Sequence, residues 1–241
     1  MVGRGPRYKA APGLNRVRPR DDVMTDYEAA RLHMVESQLR PNKVTDERVI
    51  AACLSIRREL FVPPGLRGVA YVDEDLPLGG GRYLMQPLVA ARLLQAAIVE
   101  PKDTALVVGA GVGYEAALLS LLARNVVALE ENAELARIGR SALVDHRIAS
   151  VSYVEMPAPL GHRQRAPYDV ILFAGAVAAI PAEIGGQLGE GGRLAVVLRQ
   201  RQQPGHATLL TQTGGILARR VMFDAAIPLL PGFAAKPAFV F

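Results

Sequence analysis

The chain has 241 residues, of which 50% are hydrophobic and 21% are charged. This composition is typical of a folded globular protein and excludes a disordered, collagen-like or coiled-coil chain. The single cysteine, Cys53, cannot form an internal disulfide, and the four histidines lack the spacing of a Cys/His cluster, so we predict no metal site. No segment offers the ~20 consecutive apolar residues of a membrane span, so we expect a cytoplasmic protein without membrane contact.

The basic character of the chain is concentrated at its N-terminus. Residues 1–20 contain six basic and no acidic residues, which exceeds the net charge of +5 of the whole chain. Because this segment also contains three prolines and no apolar periodicity, residues 1–23 are predicted to form a disordered basic arm. Binding of nucleic acid through the arm is the alternative interpretation, and we expect no other nucleic-acid contact.

Residues 24–100 are predicted to form a helical layer and a loop. Apolar positions recur at helical spacing in three segments, and the first two begin with a threonine and early acidic residues, as helix starts do. Cys53 is expected in the core face of the second helix. The predicted elements are helices over Thr25–Leu39, Thr45–Arg58 and Pro87–Val99, with a loop-rich stretch over Phe61–Gly81.

From residue 101 to residue 241, short apolar runs alternate with helical segments, which predicts β-α-β units around a parallel sheet. Two final strands separated by Gly214-Gly215 predict an antiparallel hairpin at the sheet edge. The predicted fold is therefore α/β, with a doubly wound, mainly parallel sheet, and residues 24–241 are expected to form one globular unit. The predicted strands are Ala105–Val108, Val126–Leu129, Val151–Val154, Val170–Ala174, Leu194–Leu198, Leu209–Thr211 and Ile216–Ile227, with helices over Tyr114–Ala123 and Ala133–Val144.

A glycine-rich turn joins the first strand of this region to its helix. It consists of Gly109, Ala110, Gly111, Val112 and Gly113. Glycine is needed where the backbone turns sharply or where a ligand approaches the main chain closely, although a tight turn without a ligand is the alternative. We therefore predict a cofactor site at this turn.

Two further residues restrict the type of cofactor. Tyr114 stands where the dinucleotide fingerprint requires a small residue, which argues against a bound pyrophosphate. Glu130 follows the next strand, where its carboxylate can accept hydrogen bonds from both ribose hydroxyls, and the adjacent Glu131 could share this role. Together these features indicate a nucleoside cofactor without a diphosphate, and S-adenosylmethionine fits this description.

From Met34 to Leu198 the sequence resembles the protein-L-isoaspartate O-methyltransferases. The resemblance includes MVESQLRPNKVTDERVIAA, RRELFVPPGLRGVAYVDEDLPLGGG, the glycine-rich turn, Glu130, APYDVI and GGRLAVVL. The resemblance implies transfer of a methyl group from S-adenosylmethionine to a protein or peptide carboxylate, in the repair of damaged proteins.

The loop that holds the substrate in this family departs from the family pattern. The family typically has Gly-Gln-Thr-Ile-Ser-Gln-Pro, and residues 81–87 are Gly-Arg-Tyr-Leu-Met-Gln-Pro. Tyr83 therefore stands at the threonine position and Met85 at the catalytic serine position, while Gln86 and Pro87 match. No catalytic residue can be assigned, and simple packing of Tyr83 and Met85 is the alternative to an altered acceptor site.

The position that contacts adenine in the family also differs. The family's Gly-Asp-Gly corresponds to residues 156–158, Met-Pro-Ala, which contain no acid. Glu155, one residue earlier, could substitute for the aspartate, or could be an ordinary surface acid at a strand end. We therefore predict a cofactor half that is mostly intact and a substrate half that has changed.

Three other functions stay open. The missing serine and aspartate favour a non-catalytic S-adenosylmethionine-binding module. An RNA methyltransferase would use the basic arm, but the core lacks an Asn-Pro-Pro-Tyr type base-binding motif. A nicotinamide enzyme is least compatible with Tyr114. The sequence gives no indication of oligomeric state.

Overall fold

The structure is a computed structural model that describes residues 26–200 and 203–233. The basic arm predicted for residues 1–23 lies outside this range. Within the described range the helices are α1 (Tyr27–Met34), α2 (Glu47–Ser55), α3 (Pro87–Ala96), α4 (Tyr114–Ser120), α5 (Ala133–Asp145) and α6 (Ala182–Gly185). The strands are β1 (Leu76–Gly79), β2 (Arg82–Leu84), β3 (Thr104–Val108), β4 (Asn125–Leu129), β5 (Val151–Val154), β6 (Tyr168–Val177), β7 (Leu188–Leu198), β8 (His206–Thr213) and β9 (Ile216–Asp224).

The main sheet has seven strands in the order β5-β4-β3-β6-β7-β8-β9. Strands β3 to β7 pair in parallel, and β8 and β9 add an antiparallel edge. Gly214 and Gly215 form the turn of this hairpin with φ values of 57° and 79°, a conformation that favours glycine. The predicted fold class is confirmed. Because the strands around β3 are parallel, their carboxyl ends, and the loops that follow them, lie along one edge of the sheet.

Both faces of the sheet are buried at its central strands, where successive side chains point to opposite faces, whereas the edge strand β9 is largely exposed. In β3, Ala105 and Val107 belong to one cluster of buried side chains, and Leu106 and Val108 belong to another. The first cluster includes side chains of the N-terminal helices, among them Cys53, which is buried as predicted. The sheet therefore forms the middle layer between two hydrophobic cores.

The first two helices are capped by the aspartate that follows the predicted threonine, so each begins one residue later than predicted. Asp26 caps α1 by accepting a hydrogen bond from the Ala29 amide (3.0 Å), and Asp46 caps α2 by accepting from the Arg48 amide (2.9 Å). The prediction of Thr45 as a cap is wrong, and Thr25 lies outside the described residues. A carboxylate at this position also interacts favourably with the helix dipole, which favours aspartate over the preceding threonine.

Helical structure after Met34 also differs from the prediction. The chain continues as a π-helical turn over Val35–Leu39 and a 3-10 turn over Arg40–Asn42, where Pro41 ends the helical ladder. The third helix ends at Ala96 instead of Val99. In the described part of the chain, no helix is both long and apolar enough to cross a membrane.

Two segments near the carboxyl edge of the sheet have structure that was not predicted. The loop-rich stretch contains a small hairpin, in which β1 pairs antiparallel with β2 and Gly79–Gly81 all have positive φ. The last predicted strand ends at Asp224 instead of Ile227, and residues 225–233 run back to β6. Two backbone hydrogen bonds hold this returning segment there, from the Ala176 amide to the Pro228 carbonyl (3.0 Å) and from the Leu230 amide to the Ala176 carbonyl (2.8 Å).

Candidate cofactor and acceptor site

The glycine-rich turn lies between the carboxyl end of β3 and the start of α4. Gly109, Gly111 and Gly113 have φ values of 68°, 55° and 84°, a region that side chains other than glycine rarely adopt. A Cβ atom at Gly113 would lie 2.1 Å from the hydroxyl oxygen of Tyr153. The glycines are therefore required by the backbone conformation and by close packing, in addition to any role in binding.

Glu130 is brought against this turn, as the sequence predicted. It follows β4, the neighbour of β3, and is fully buried. Its Oε2 accepts a hydrogen bond from the Gly111 amide (2.7 Å), and its Oε1 accepts one from the Asn132 amide (2.9 Å). Glu131 is exposed, so Glu130 is the acid of this pair that faces the site. These contacts fix a carboxylate beside the glycine turn.

Arg82 belongs to the site although no sequence pattern predicted it there. The Nη2 atom of Arg82 donates to Glu130 Oε2 (2.6 Å) and to the Gly109 carbonyl (2.5 Å), and the residue is only 4% exposed. The Arg82 guanidinium thus forms an ion pair with the carboxylate that was predicted to accept hydrogen bonds from the ribose hydroxyls. The sequence did contain one indication of a changed site: Arg82 stands where the family that this chain resembles has glutamine.

The returning segment also packs on the glycine turn. A Cβ atom at Gly109 would lie 3.0 Å from Leu230 Cδ1 and 3.2 Å from Arg82 Nη2. Leu230 and Arg82 therefore fill the space directly above Gly109. The backbone of the turn and the buried acid fit the ribose end of a nucleoside cofactor, provided that Arg82 releases Glu130.

The predicted substrate loop is split between surface and core. Tyr83 is 40% exposed, whereas Met85 is 2% exposed and belongs to the hydrophobic core. Gln86 and Pro87 begin α3, and the Gln86 amide donates to the Asp75 carboxylate (2.9 Å). The loop thus faces the returning segment with a tyrosine at its surface and a methionine in its interior.

Between this loop and the returning segment there is little free space. Tyr83, Met85 and Asp75 line a cavity of only about 10 Å³, whose opposite wall includes Gly175 and residues 227–230. A cavity of this size holds no peptide side chain. Access of an acceptor to this place requires the loop or the returning segment to move.

A cluster of buried charges lies beneath the glycine turn. Glu115 is 2% exposed, and among the described residues its Oε1 has no hydrogen-bond partner. Burial raises the pKa of Glu115 to about 7, although the positive charge of Arg58 acts in the opposite direction. In the same part of the described chain, Arg58 Nη1 and Arg82 Nη1 also lack partners.

Tyr114 connects the sheet to the N-terminal layer. Its ring is buried in edge-to-face contact with Phe61 (5.6 Å between centroids), and the Arg58 guanidinium lies 4.7 Å from its centroid. The Arg58 Nη2 in turn donates to the Met85 carbonyl (2.7 Å). Tyr114 therefore has a packing role that couples the glycine turn to the substrate loop.

Glu155 lies at a separate opening. Its exposed side chain pairs with Arg140 (2.7 Å between Oε1 and Nη1), and it lines a cavity of about 460 Å³ with Val154, Met156 and His162. Neither Glu130 nor the three glycines line this cavity. A contact of Glu155 with adenine stays a prediction.

Comparison with known sequences gives one consistent result. The family model described as protein-L-isoaspartate(D-aspartate) O-methyltransferase matches residues 30–228. A protein-L-isoaspartate O-methyltransferase of Koribacter versatilis is 35% identical over 215 residues, which are 89% of this chain and 97% of the relative. One of Aromatoleum aromaticum is 38% identical over 206 residues, 84% of this chain and 93% of the relative.

Solved structures show the same fold. One named protein-L-isoaspartate O-methyltransferase superposes with a TM-score of 0.73 at 23% identity, covering 86% of this chain and 67% of its own. A Plasmodium falciparum structure in complex with S-adenosyl-L-homocysteine has a TM-score of 0.71 at 16% identity, covering 85% of this chain and 97% of its own.

Proposed function

Because the chain belongs to the protein-L-isoaspartate(D-aspartate) O-methyltransferase family, an S-adenosylmethionine-dependent enzyme family, we propose that it methylates a carboxylate of a damaged protein or peptide in the cytoplasm. The observation that carries the proposal is the buried Glu130, held by the Gly111 amide at the carboxyl edge of the sheet and next to the substrate loop. Methyl transfer requires the cofactor, with its ribose on Glu130, to lie next to the carboxylate that the substrate loop holds.

The residues of the chain have distinct tasks in this reaction. The backbone of Gly109–Gly113 and the Glu130 carboxylate would hold the cofactor, with Glu155 as the candidate contact for adenine. When bound, S-adenosylmethionine supplies a methyl group on a positively charged sulfur. The acceptor carboxylate is already ionised at neutral pH, so no residue of the chain has to act as a general base. The protein contributes alignment and exclusion of water.

At the position of Met85 the loop offers the acceptor no hydrogen-bond donor. A thioether cannot donate a hydrogen bond, so the loop lacks the hydroxyl that the family's serine provides. Loss of one preorganised donor lowers a rate by about 10²-fold. We therefore expect slow methylation of isoaspartyl peptides, with normal use of the cofactor.

A second candidate function is a protein that binds S-adenosylmethionine without turnover. It is favoured by the burial of Met85 and by the cavity of about 10 Å³ at the acceptor position. The two functions share the cofactor site and differ only in what happens at the substrate loop.

Methyl transfer distinguishes the two functions. The full chain would be incubated with methyl-labelled S-adenosylmethionine and an isoaspartyl peptide, with the aspartyl peptide of the same sequence as control. We expect release of S-adenosylhomocysteine and a base-labile methyl ester on the isoaspartyl peptide only. Binding of S-adenosylhomocysteine without any methyl transfer would contradict the proposal and support the non-catalytic function.

A further inference from the structure

Arg82 connects the cofactor site to the substrate loop through a single side chain. We propose that Arg82 binds the carboxylate of the acceptor, and that it becomes free to do so when the ribose hydroxyls of the cofactor replace it on Glu130. The inference rests on the proposed function and adds the residue that recognises the acceptor, together with the order of binding.

Arg82 and a bound cofactor compete for Glu130. Its Oε2 accepts from both Arg82 Nη2 (2.6 Å) and the Gly111 amide (2.7 Å), while its Oε1 accepts from the Asn132 amide. Ribose hydroxyls and a guanidinium are both donors, and three of the roughly four acceptor positions of the buried Glu130 carboxylate are already used, so two ribose hydroxyls cannot be added without a loss. A cofactor that binds Glu130 therefore displaces Arg82.

A guanidinium displaced from Glu130 needs another anionic partner. Arg82 is 4% exposed, and a buried cation without an anion is strongly unfavourable. Among the described residues, the buried Glu115 and the partly buried Asp75 are acids close to the loop: the charges of Arg82 and Asp75 both act on Glu115, and Asp75 contacts the Gln86 amide. Burial raises the pKa of both, to about 7 for Glu115, and Asp75 already accepts from the Gln86 amide. Burial therefore opposes ionisation of both acids, which favours pairing of the freed guanidinium with an ionised acceptor carboxylate.

Arg82 lies within the substrate loop, close to the place that an acceptor would occupy. It lies in β2 directly before Tyr83, and its guanidinium packs on Gly109 beside Leu230. Leu230 and Tyr83, but not Arg82 itself, line the small cavity between the loop and the returning segment. Arg82 Nη1 has no partner among the described residues and is available for a second hydrogen bond. A guanidinium can bind a carboxylate with two parallel hydrogen bonds. Arg82 thus supplies the donor that Met85 cannot supply.

This arrangement makes the binding order a consequence of the structure. Until the cofactor arrives, Arg82 is held by Glu130, and the acceptor site lacks its cation. Once the cofactor occupies Glu130, the freed cation creates a binding site for a carboxylate. The amino-acid carboxylate of the cofactor could also pair with Arg82. The experiment therefore tests binding of the cofactor carboxylate and of the acceptor carboxylate separately.

Binding measurements on the full chain test the inference without turnover. Wild type, Arg82→Gln and Arg82→Lys would be titrated with S-adenosylhomocysteine and with 5′-methylthioadenosine, which has the ribose but no carboxylate. Each protein saturated with S-adenosylhomocysteine would then be titrated with an isoaspartyl peptide and with its uncharged amide counterpart. Arg82→Gln keeps a hydrogen-bond donor for Glu130 but removes the positive charge, whereas Arg82→Lys keeps the charge. A loss of peptide binding in Arg82→Gln alone therefore reports recognition of the carboxylate and not a folding defect.

We expect Arg82→Gln to bind both nucleosides about 10-fold more tightly than wild type, because Glu130 has lost its charged competitor. Wild type and Arg82→Lys should prefer the isoaspartyl peptide over the amide by about 10-fold or more, and Arg82→Gln should lose this preference. Weaker binding of S-adenosylhomocysteine but not of 5′-methylthioadenosine to Arg82→Gln would overturn the inference, because Arg82 would then hold the cofactor's carboxylate. Equal binding of both peptides to wild type would also overturn it. Peptide discrimination without methyl transfer would support the inference and contradict the proposed function.

Discussion

Replacement of Glu115 by glutamine should change how the stability of the protein depends on pH. Glu115 is 2% exposed, and burial raises its pKa from 4.5 to about 7. In the unfolded chain this carboxyl ionises near its ordinary pKa, whereas in the folded protein it keeps its proton until about pH 7. Between these values the unfolded state has lost a proton that the folded state still binds, so the free energy of unfolding falls as the pH rises.

The size of the effect follows from the same pKa difference. Over the whole interval the loss of stability attributable to Glu115 is roughly 3 kcal/mol, and it is complete above pH 7. Glutamine has nearly the same shape and no charge, so Glu115→Gln removes this loss. We expect the variant to match wild type near pH 4.5 and to be more stable by up to roughly 3 kcal/mol at pH 8.

Urea unfolding at several pH values measures this difference. Glu28→Gln is the matched control, because Glu28 also follows a tyrosine at the start of a helix but is exposed. The same measurements on Glu28→Gln show how much of the effect comes from replacing any helix-start glutamate, and the pH dependence of Glu115→Gln should exceed it. A stability difference between Glu115→Gln and wild type that is constant from pH 4.5 to pH 8 would refute the assignment of a raised pKa to Glu115.

Three further predictions concern the cofactor, the loop and the arm. Glu130→Ala should weaken binding of S-adenosylhomocysteine by about 10- to 100-fold in calorimetry, because charge-assisted hydrogen bonds are lost. Glu131 is exposed, so Glu131→Ala should bind as wild type does. Equal affinities of the two variants would contradict the role of Glu130. Tyr83→Thr combined with Met85→Ser should raise isoaspartyl methylation but lower the melting temperature, because Met85 is buried; no gain in a folded double variant would favour the non-catalytic function. Deletion of residues 1–23 should leave the melting temperature and cofactor affinity unchanged, and a large drop in melting temperature would show that the arm is structural.

The sheet was predictable because its strands are short apolar runs of the right length. Strands β3 to β5 were predicted to within one residue at each end. The β1-β2 hairpin was not predicted, because its strands have only four and three residues, the first contains Pro77, and the three-glycine run begins at the end of that strand and forms the turn. The path of residues 225–233 also escaped prediction, because it depends on pairing with β6, about 50 residues earlier in the chain.

The candidate site was predictable to the extent that it depends on sheet topology. The glycine turn and Glu130 follow adjacent parallel strands, so they had to lie close together. The pairing of Arg82 with Glu130 joins residues 48 positions apart and depends on how the substrate loop folds over the sheet. Local pattern carries no information about such a contact. For the same reason, the sequence did not decide whether Met85 is buried in the core or faces an acceptor.

The most direct test of the cofactor site is calorimetric titration of the full chain with S-adenosylhomocysteine, in parallel with NAD. A site made of Gly109–Gly113 and Glu130, with the large Tyr114 at the start of α4, predicts one molecule of S-adenosylhomocysteine per chain and weaker or absent binding of NAD. Absence of S-adenosylhomocysteine binding, or tighter binding of NAD, would contradict the account.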